Sequence, residues 1–70
     1  MSDTFATRLR ALRQQEGLTQ GQLAERAGLS QRGVQELENG RRQPQWETVR
    51  ALARGLGVSV ALFNPEEGQT

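Results

Sequence analysis

The chain has 70 residues, a formal net charge of +1, 34% hydrophobic residues and neither cysteine nor histidine. These totals fit one small domain and exclude disulfides, and they leave a closed zinc site without its usual ligands. No stretch approaches the ~20 apolar residues of a membrane span and no signal peptide opens the chain, so a reducing cytoplasm is the expected setting.

The elements are all helical, and no strand alternation occurs. Thr4 is placed to cap a first helix in which Phe5, Leu9 and Leu12 recur at helical spacing, with Gly17 as its left-handed stop. Thr19 and Gln22 form a T-x-x-Q capping box that starts a second helix, in which Leu23, Ala24 and Ala27 face inward until Gly28. Ser30 caps a third helix over residues 30–39, whose apolar stripe is only Val34 and Leu37, and Asn39-Gly40 closes it. A polar loop containing Pro44 follows. Trp46 opens a fourth helix with Val49, Leu52, Ala53 and Leu56 on one side and Gly57 at its end. Gly55, in its last turn, is expected to weaken it by about 1 kcal/mol relative to Ala. Ser59 caps a last short turn, residues 60–63, before Asn64-Pro65 breaks the chain direction. The expected architecture is an all-α, compact five-helix domain over residues 1–64, with residues 65–70 as a C-terminal tail.

Charge is unevenly spread. All nine basic residues are Arg and lie within residues 5–54, where five Glu face them, leaving +4 on the body. A basic body suits an anionic partner without specifying one.

The second and third helices are joined by Ala27-Gly28-Leu29-Ser30. A short Gly-containing turn of this kind sets two helices steeply across each other, with Leu29 available to plug the gap. This is the helix-turn-helix pattern, whose second helix enters the DNA major groove. With Val34 and Leu37 facing in, Arg32, Gln35, Glu36 and Asn39 face out together and Gln31 reaches forward from the helix start. These residue types read base edges: Gln pairs with adenine, Arg with guanine, and Glu accepts from cytosine. The plainer reading of such a face is a solvated surface; its position after a short helix, a Gly turn and a capped start favours a reading face. Phosphate contacts belong on either side of it. Thr19 and Gln20 stand at a helix N-terminus, where free N–H groups attract phosphate, and Arg41, Arg42 and Gln43 follow the far end. Arg13 and Glu38 lie beside the apolar stripes of helices one and three, and an ion pair between them would orient the third helix.

From Leu18 onward the pieces LTQGQLAERAGLS, LENGRRQP and ALARGLGVS resemble the phage repressor and Cro type of helix-turn-helix domain, the Xre-like family. The resemblance covers residues 5–63. It implies a five-helix domain that binds operator DNA as a homodimer and regulates transcription as a repressor. It also implies base contacts from Gln31, Arg32, Gln35 and Glu36, and phosphate contacts from Gln20, Asn39, Arg41, Arg42 and Gln43. A repressor of this type carries the arginine–glutamate pair that matches Arg13 and Glu38. Several positions depart from the pattern. Gly21 and Gly33 stand where larger residues are common, and Gly33 removes a base or methyl contact. Gln45 is a poor cap, and Trp46 replaces an aliphatic residue and is expected as a core or staple residue, with packing at a dimer contact as the alternative. No Lys occurs at all.

One helix reads too few base pairs for specificity in a genome, so a palindromic operator and a homodimer are expected. The segment with Val58, Val60, Leu62 and Phe63 is more apolar than one turn can bury. Val58 and Phe63 are assigned to the monomer core, and Val60 and Leu62 to the dimer interface. A second reading is a protein-interaction module, an antitoxin or a contact for RNA polymerase, offering the second helix with Gln22, Glu25 and Arg26. RNA is disfavoured because Phe5, Trp46 and Phe63 look structural rather than available for stacking. Enzymatic function is not expected: His, Cys, Lys and Tyr are absent, and no Gly loop that could cradle phosphate is present. No cofactor or metal is anticipated.

Overall fold

The structure is a computed structural model that describes residues 4–63. It contains α1 (Phe5–Gln15), α2 (Gln20–Ala27), α3 (Gln31–Glu38), α4 (Trp46–Leu56) and a terminal 3-10 turn (Val60–Phe63). The described residues form no strand, as the periodicity required. The expectation of five helices is corrected to four α-helices and this single turn. Its four residues are too few to sustain an α-helical ladder. Its geometry is set instead by Leu62 N–H donating to Ser59 C=O at 3.1 Å and Ala61 N–H donating to Ser59 Oγ at 3.2 Å. The proposed tail, residues 65–70, lies outside the described residues.

Three helix starts are set by hydroxyl caps. Thr4 Oγ1 accepts from Thr7 N–H at 3.1 Å and Ser30 Oγ from Gly33 N–H at 2.9 Å. At α2 the capping box is complete: Gln22 N–H donates to Thr19 Oγ1 at 3.0 Å while Thr19 N–H donates to Gln22 Oε1 at 2.9 Å. Each bond satisfies a backbone donor that has no partner inside the helix. Gln45 fills the same position before α4 without a side-chain bond. The turn after α2 depends on Gly28, whose φ of 72° lets Leu29 N–H return to Ala24 C=O at 2.8 Å. That left-handed step costs a residue with a Cβ far more than it costs glycine. It ends α2 after eight residues and turns Leu29 onto the core.

Every helix contributes to one core. Leu9 from α1, Leu23 from α2, Val34 and Leu37 from α3 and Leu52 from α4 are all essentially removed from solvent. Helix α2 packs against α3 and α4, and α1 packs against α3 and the terminal turn. Phe63 is buried and stacks at a tilt on Phe5, ring centroids 5.2 Å apart, which ties the chain's last described residue to its first helix.

One sequence expectation fails here and a second is incomplete. Trp46 is 57% exposed rather than core. As the first residue of α4 it has no preceding helical turn to cover it, and it sits at the edge of the stripe formed by Val49, Leu52, Ala53 and Leu56. Gly55 is more than a weak point in a helix. A Cβ there would stand 3.2 Å from Ala27 N and 3.3 Å from both Ala27 Cβ and Arg26 C. The glycine therefore permits the close approach of α4 to the end of α2, an advantage that offsets its poor helix propensity.

Candidate nucleic-acid interface

Helix α3 turns one narrow side to the core. Gly33, Val34, Leu37 and Glu38 are buried, while Gln31, Arg32, Gln35 and Asn39 are exposed and Glu36 is half-buried. The outward residues are contiguous with the following loop, in which Arg41, Arg42 and Gln43 are exposed. Arg32, Gln35, Glu36, Asn39 and Arg41 line one shallow polar depression. Of the expected base-reading residues, Arg32, Gln35 and Glu36 share this depression with Arg41, and Gln31 does not line it.

On that surface the side chains engage one another. Glu36 Oε1 lies 2.9 Å from Arg42 Nη2, and Glu36 Oε2 lies 3.5 Å from Arg32 Nε one helical turn away. Arg32 is the more exposed cation, its side chain 86% accessible against 59% for Arg42. Arg41 has no ion-pair partner among the described residues. Gln31 lies back toward α2: its Oε1 is 3.2 Å from the point a Cβ on Gly21 would occupy. Gly21 therefore leaves room for the Gln31 carboxamide beside the start of α2. Gly33 faces its own cap rather than the outward polar face of α3. A Cβ on it would stand 3.1 Å from Ser30 Oγ and 3.9 Å from Arg42 Nη1, so Arg42 crosses over the glycine on its way to Glu36.

Behind this face lies a second, buried electrostatic unit. The Glu38 side chain is only 1% exposed. Arg13 grips it side-on, Nε donating to Oε2 at 2.6 Å and Nη2 to Oε1 at 3.1 Å. Arg13 Nη1 also donates to Leu18 C=O at 2.8 Å, which fixes the link between α1 and α2. Gln20 Nε2 donates to Glu38 Oε1 at 3.1 Å, and Arg10 Nη2 donates to the Glu38 backbone carbonyl at 3.2 Å. A buried carboxylate is tolerable only when its lone pairs are occupied, and Arg13 and Gln20 occupy them. The hydrogen bond that Arg13 donates to Glu38 raises the Arg13 pKa above its ordinary value, against the opposing effect of burial and with further support from the carboxylate charge. Arg13 therefore stays charged at any working pH.

Sequence reasoning paired Arg13 with Glu38 but missed Arg10 and Gln20. The signal for Arg10 was its position three residues before Arg13 on the same helical face. Gln20 was assigned to phosphate alone. One of its amide hydrogens is taken by Glu38, so the residue joins the first turn of α2 to the end of α3. Thr19 is exposed at the same N-terminus, its oxygen accepting from Gln22. At the other end of the chain Leu62 is 44% exposed, whereas Val58 and Val60 are half-buried against the core.

Among the described residues no group of three or more acidic side chains could hold a metal ion, and no helix is long and apolar enough to cross a membrane.

The sequence of residues 4–65 matches a known family, helix-turn-helix domain. The chain is 39% identical over 64 residues to the immunity repressor protein of Bacillus phage phi105, covering 91% of this chain and 44% of that protein. It is 46% identical over 57 residues to the uncharacterized HTH-type transcriptional regulator y4dJ of Sinorhizobium fredii, covering 80% of this chain and 74% of that one. The chain thus spans less than half the length of the phage repressor. Among solved structures it superposes on the restriction-modification controller protein C.AhdI from Aeromonas hydrophila with a TM-score of 0.82 and 34% identity, covering 84% of this chain and 89% of that one. It superposes equally on the clp gene regulator ClgR from C. glutamicum, TM-score 0.83 and 32% identity, covering 93% and 84% of the two chains. The chain belongs to the helix-turn-helix domain family, of the phage repressor and Cro or Xre-like type.

Proposed function

We propose that this chain represses transcription by binding a palindromic operator as a homodimer, with α3 in the major groove of each half-site. The observation that carries the reading is the division of α3: a thin apolar back of Val34 and Leu37, and a polar front continuous with Arg41 and Arg42. A helix that only stabilised the fold would have no need of so sparse a core side. Gln31, Arg32, Gln35 and Glu36 are the proposed base contacts, since their side chains present the donors and acceptors that base edges complement. Thr19, Gln20, Asn39, Arg41, Arg42 and Gln43 are the proposed phosphate contacts. The Thr19 hydroxyl and the remaining Gln20 amide hydrogen can each donate, next to the free N–H groups at the start of α2. The Arg13–Glu38 pair, with Gln20, holds α3 at a fixed angle to α1 and α2.

The exposed Leu62 supports dimerisation through the terminal turn. Val60 offers only the side not already packed on the core. Two-fold pairing would place the reading helices about 34 Å apart, one turn of duplex.

The test is selection of the purified chain against a random duplex library at about 150 mM salt, with sedimentation of the chain on the winning duplex. A palindromic motif carrying two chains is the expected result. Uniform, salt-sensitive binding without enrichment would refute the operator reading and favour the protein-interaction module, with a toxin or RNA polymerase as partner. Within the selected complex, Arg41→Ala is expected to weaken all duplexes alike and reduce the salt slope by about one.

A further inference from the structure

One carboxylate, Glu36, stands in the middle of the outward face of α3 and holds two of the three arginines around it. Arg42 Nη2 is 2.9 Å from Glu36 Oε1 and Arg32 Nε is 3.5 Å from Oε2. The two pairs are unequal. Arg32 is a highly exposed i,i+4 partner, which contributes little. Arg42 makes the short contact and packs across Gly33, and the Glu36 side chain between them is only 29% exposed. A phosphate approaching Arg42 therefore meets a guanidinium already paired, beside a carboxylate that repels it. We propose that Glu36 is a specificity-determining gate: it withholds Arg42 from DNA phosphates until a base amino group in the major groove takes the place of the guanidinium.

The inference rests on α3 entering the major groove. There, the donors able to satisfy Glu36 are the exocyclic amino groups of cytosine and adenine, one in every base pair, so what varies with sequence is whether that group lies on the strand facing Glu36. On a duplex that presents one opposite Glu36, the carboxylate accepts from the base and Arg42 turns to the backbone. On any other duplex, freeing Arg42 would strand Glu36 near the phosphates without a partner, so the internal pair persists. Base identity is thereby converted into one additional phosphate contact. The effect acts mainly by lowering affinity for wrong sequences.

A double-mutant cycle on random-sequence duplex tests this, using Glu36→Gln and Arg42→Gln separately and together. Glutamine matches the size of either side chain's contact group closely enough to leave the outward surface intact, and it cannot hold a guanidinium by charge. Glu36→Gln is expected to raise affinity for random duplex about fivefold at ~150 mM salt and to steepen the salt slope by about one, the signature of one more phosphate contact. Arg42→Gln is expected to lower the slope less in the unsubstituted protein than in the Glu36→Gln background, where it abolishes the increase. Equal loss of slope in both backgrounds would overturn the gate, because Arg42 would then reach phosphate regardless of Glu36. An unsubstituted chain that binds no duplex at any salt would instead refute the groove reading beneath it, an outcome distinguishable from a chain that binds normally but shows no coupling.

Discussion

Glu38 shows how much a single side chain contributes to the geometry of this domain. Its carboxylate is enclosed: Arg13 from α1 and Gln20 from α2 donate to it, and Arg10 stands 3.9 Å away while donating to the Glu38 backbone carbonyl. Pairing of two buried ions adds little net stability, but removing one partner strands the other. Arg13→Met should therefore destabilise the fold by about 3 kcal/mol in urea denaturation, since Arg10 and Gln20 satisfy Glu38 only in part. A loss below about 1 kcal/mol, the range of an exposed pair, would show that Glu38 is not held in this way. This pair could be read from the helical wheel because both residues flank an apolar stripe. Gln20 and Arg10 could not, because their roles depend on the angle at which α2 and α1 meet α3. Trp46 misled for a different reason. A large apolar residue beside a core stripe is expected to be buried, yet the first residue of a helix is covered only by what precedes it. Here that is an exposed polar loop.

Among the elements, the starts and stops were the most legible features, because capping is local chemistry. Thr4, Thr19 and Ser30 accept the backbone bonds their positions require, and Gly28 takes the left-handed conformation that its place after Ala27 demands. Less visible was anything that depends on two helices touching. Gly55 looked like a weakness in α4 and proves to be the point where α4 meets the backbone of α2. Gly55→Ala should gain about 1 kcal/mol of helix propensity and lose about 2 kcal/mol to overpacking, a net destabilisation of about 1 kcal/mol. Thermal unfolding would show it as a Tm lowered by several degrees. A raised Tm would mean that α2 yields to the added methyl group and that the close approach is not tight. The fifth helix was over-read. Val60–Phe63 has the apolar content of a helix but not the length, and a single 3-10 turn suffices to bring Phe63 onto Phe5.

For the whole molecule, the unresolved balance is between core and surface in the terminal turn. Phe63 is spent on the core, and Leu62 beside it is left largely in water. An exposed leucine next to a closed core is a natural contact for a second copy. Leu62→Glu should leave the monomer fold and its Tm near their original values, because the side chain is already solvated. It should halve the number of chains bound per selected duplex in sedimentation. Unfolding of the variant, or two chains still on each duplex, would place the dimer contact elsewhere. The same scale explains the distribution of charge. Seven of the nine arginines lie on helices and Arg41 and Arg42 in the loop after α3, and their arrangement around α3, rather than the small net charge, determines which partner the surface suits.

The central claim is that the outward side of α3 reads base sequence, and comparing the motif selected by the unsubstituted chain with that selected by Arg32→Ala tests it most directly. Arg32 is the most exposed cation of the ion pairs on that face, and it is held only by a weak pair to Glu36. The account predicts that preference at one or two positions of each half-site is lost, at a cost of about 1–3 kcal/mol there, while the rest of the motif persists. An unchanged motif, or affinity lowered equally for every sequence, would contradict it and show that α3 positions the protein on DNA without reading it.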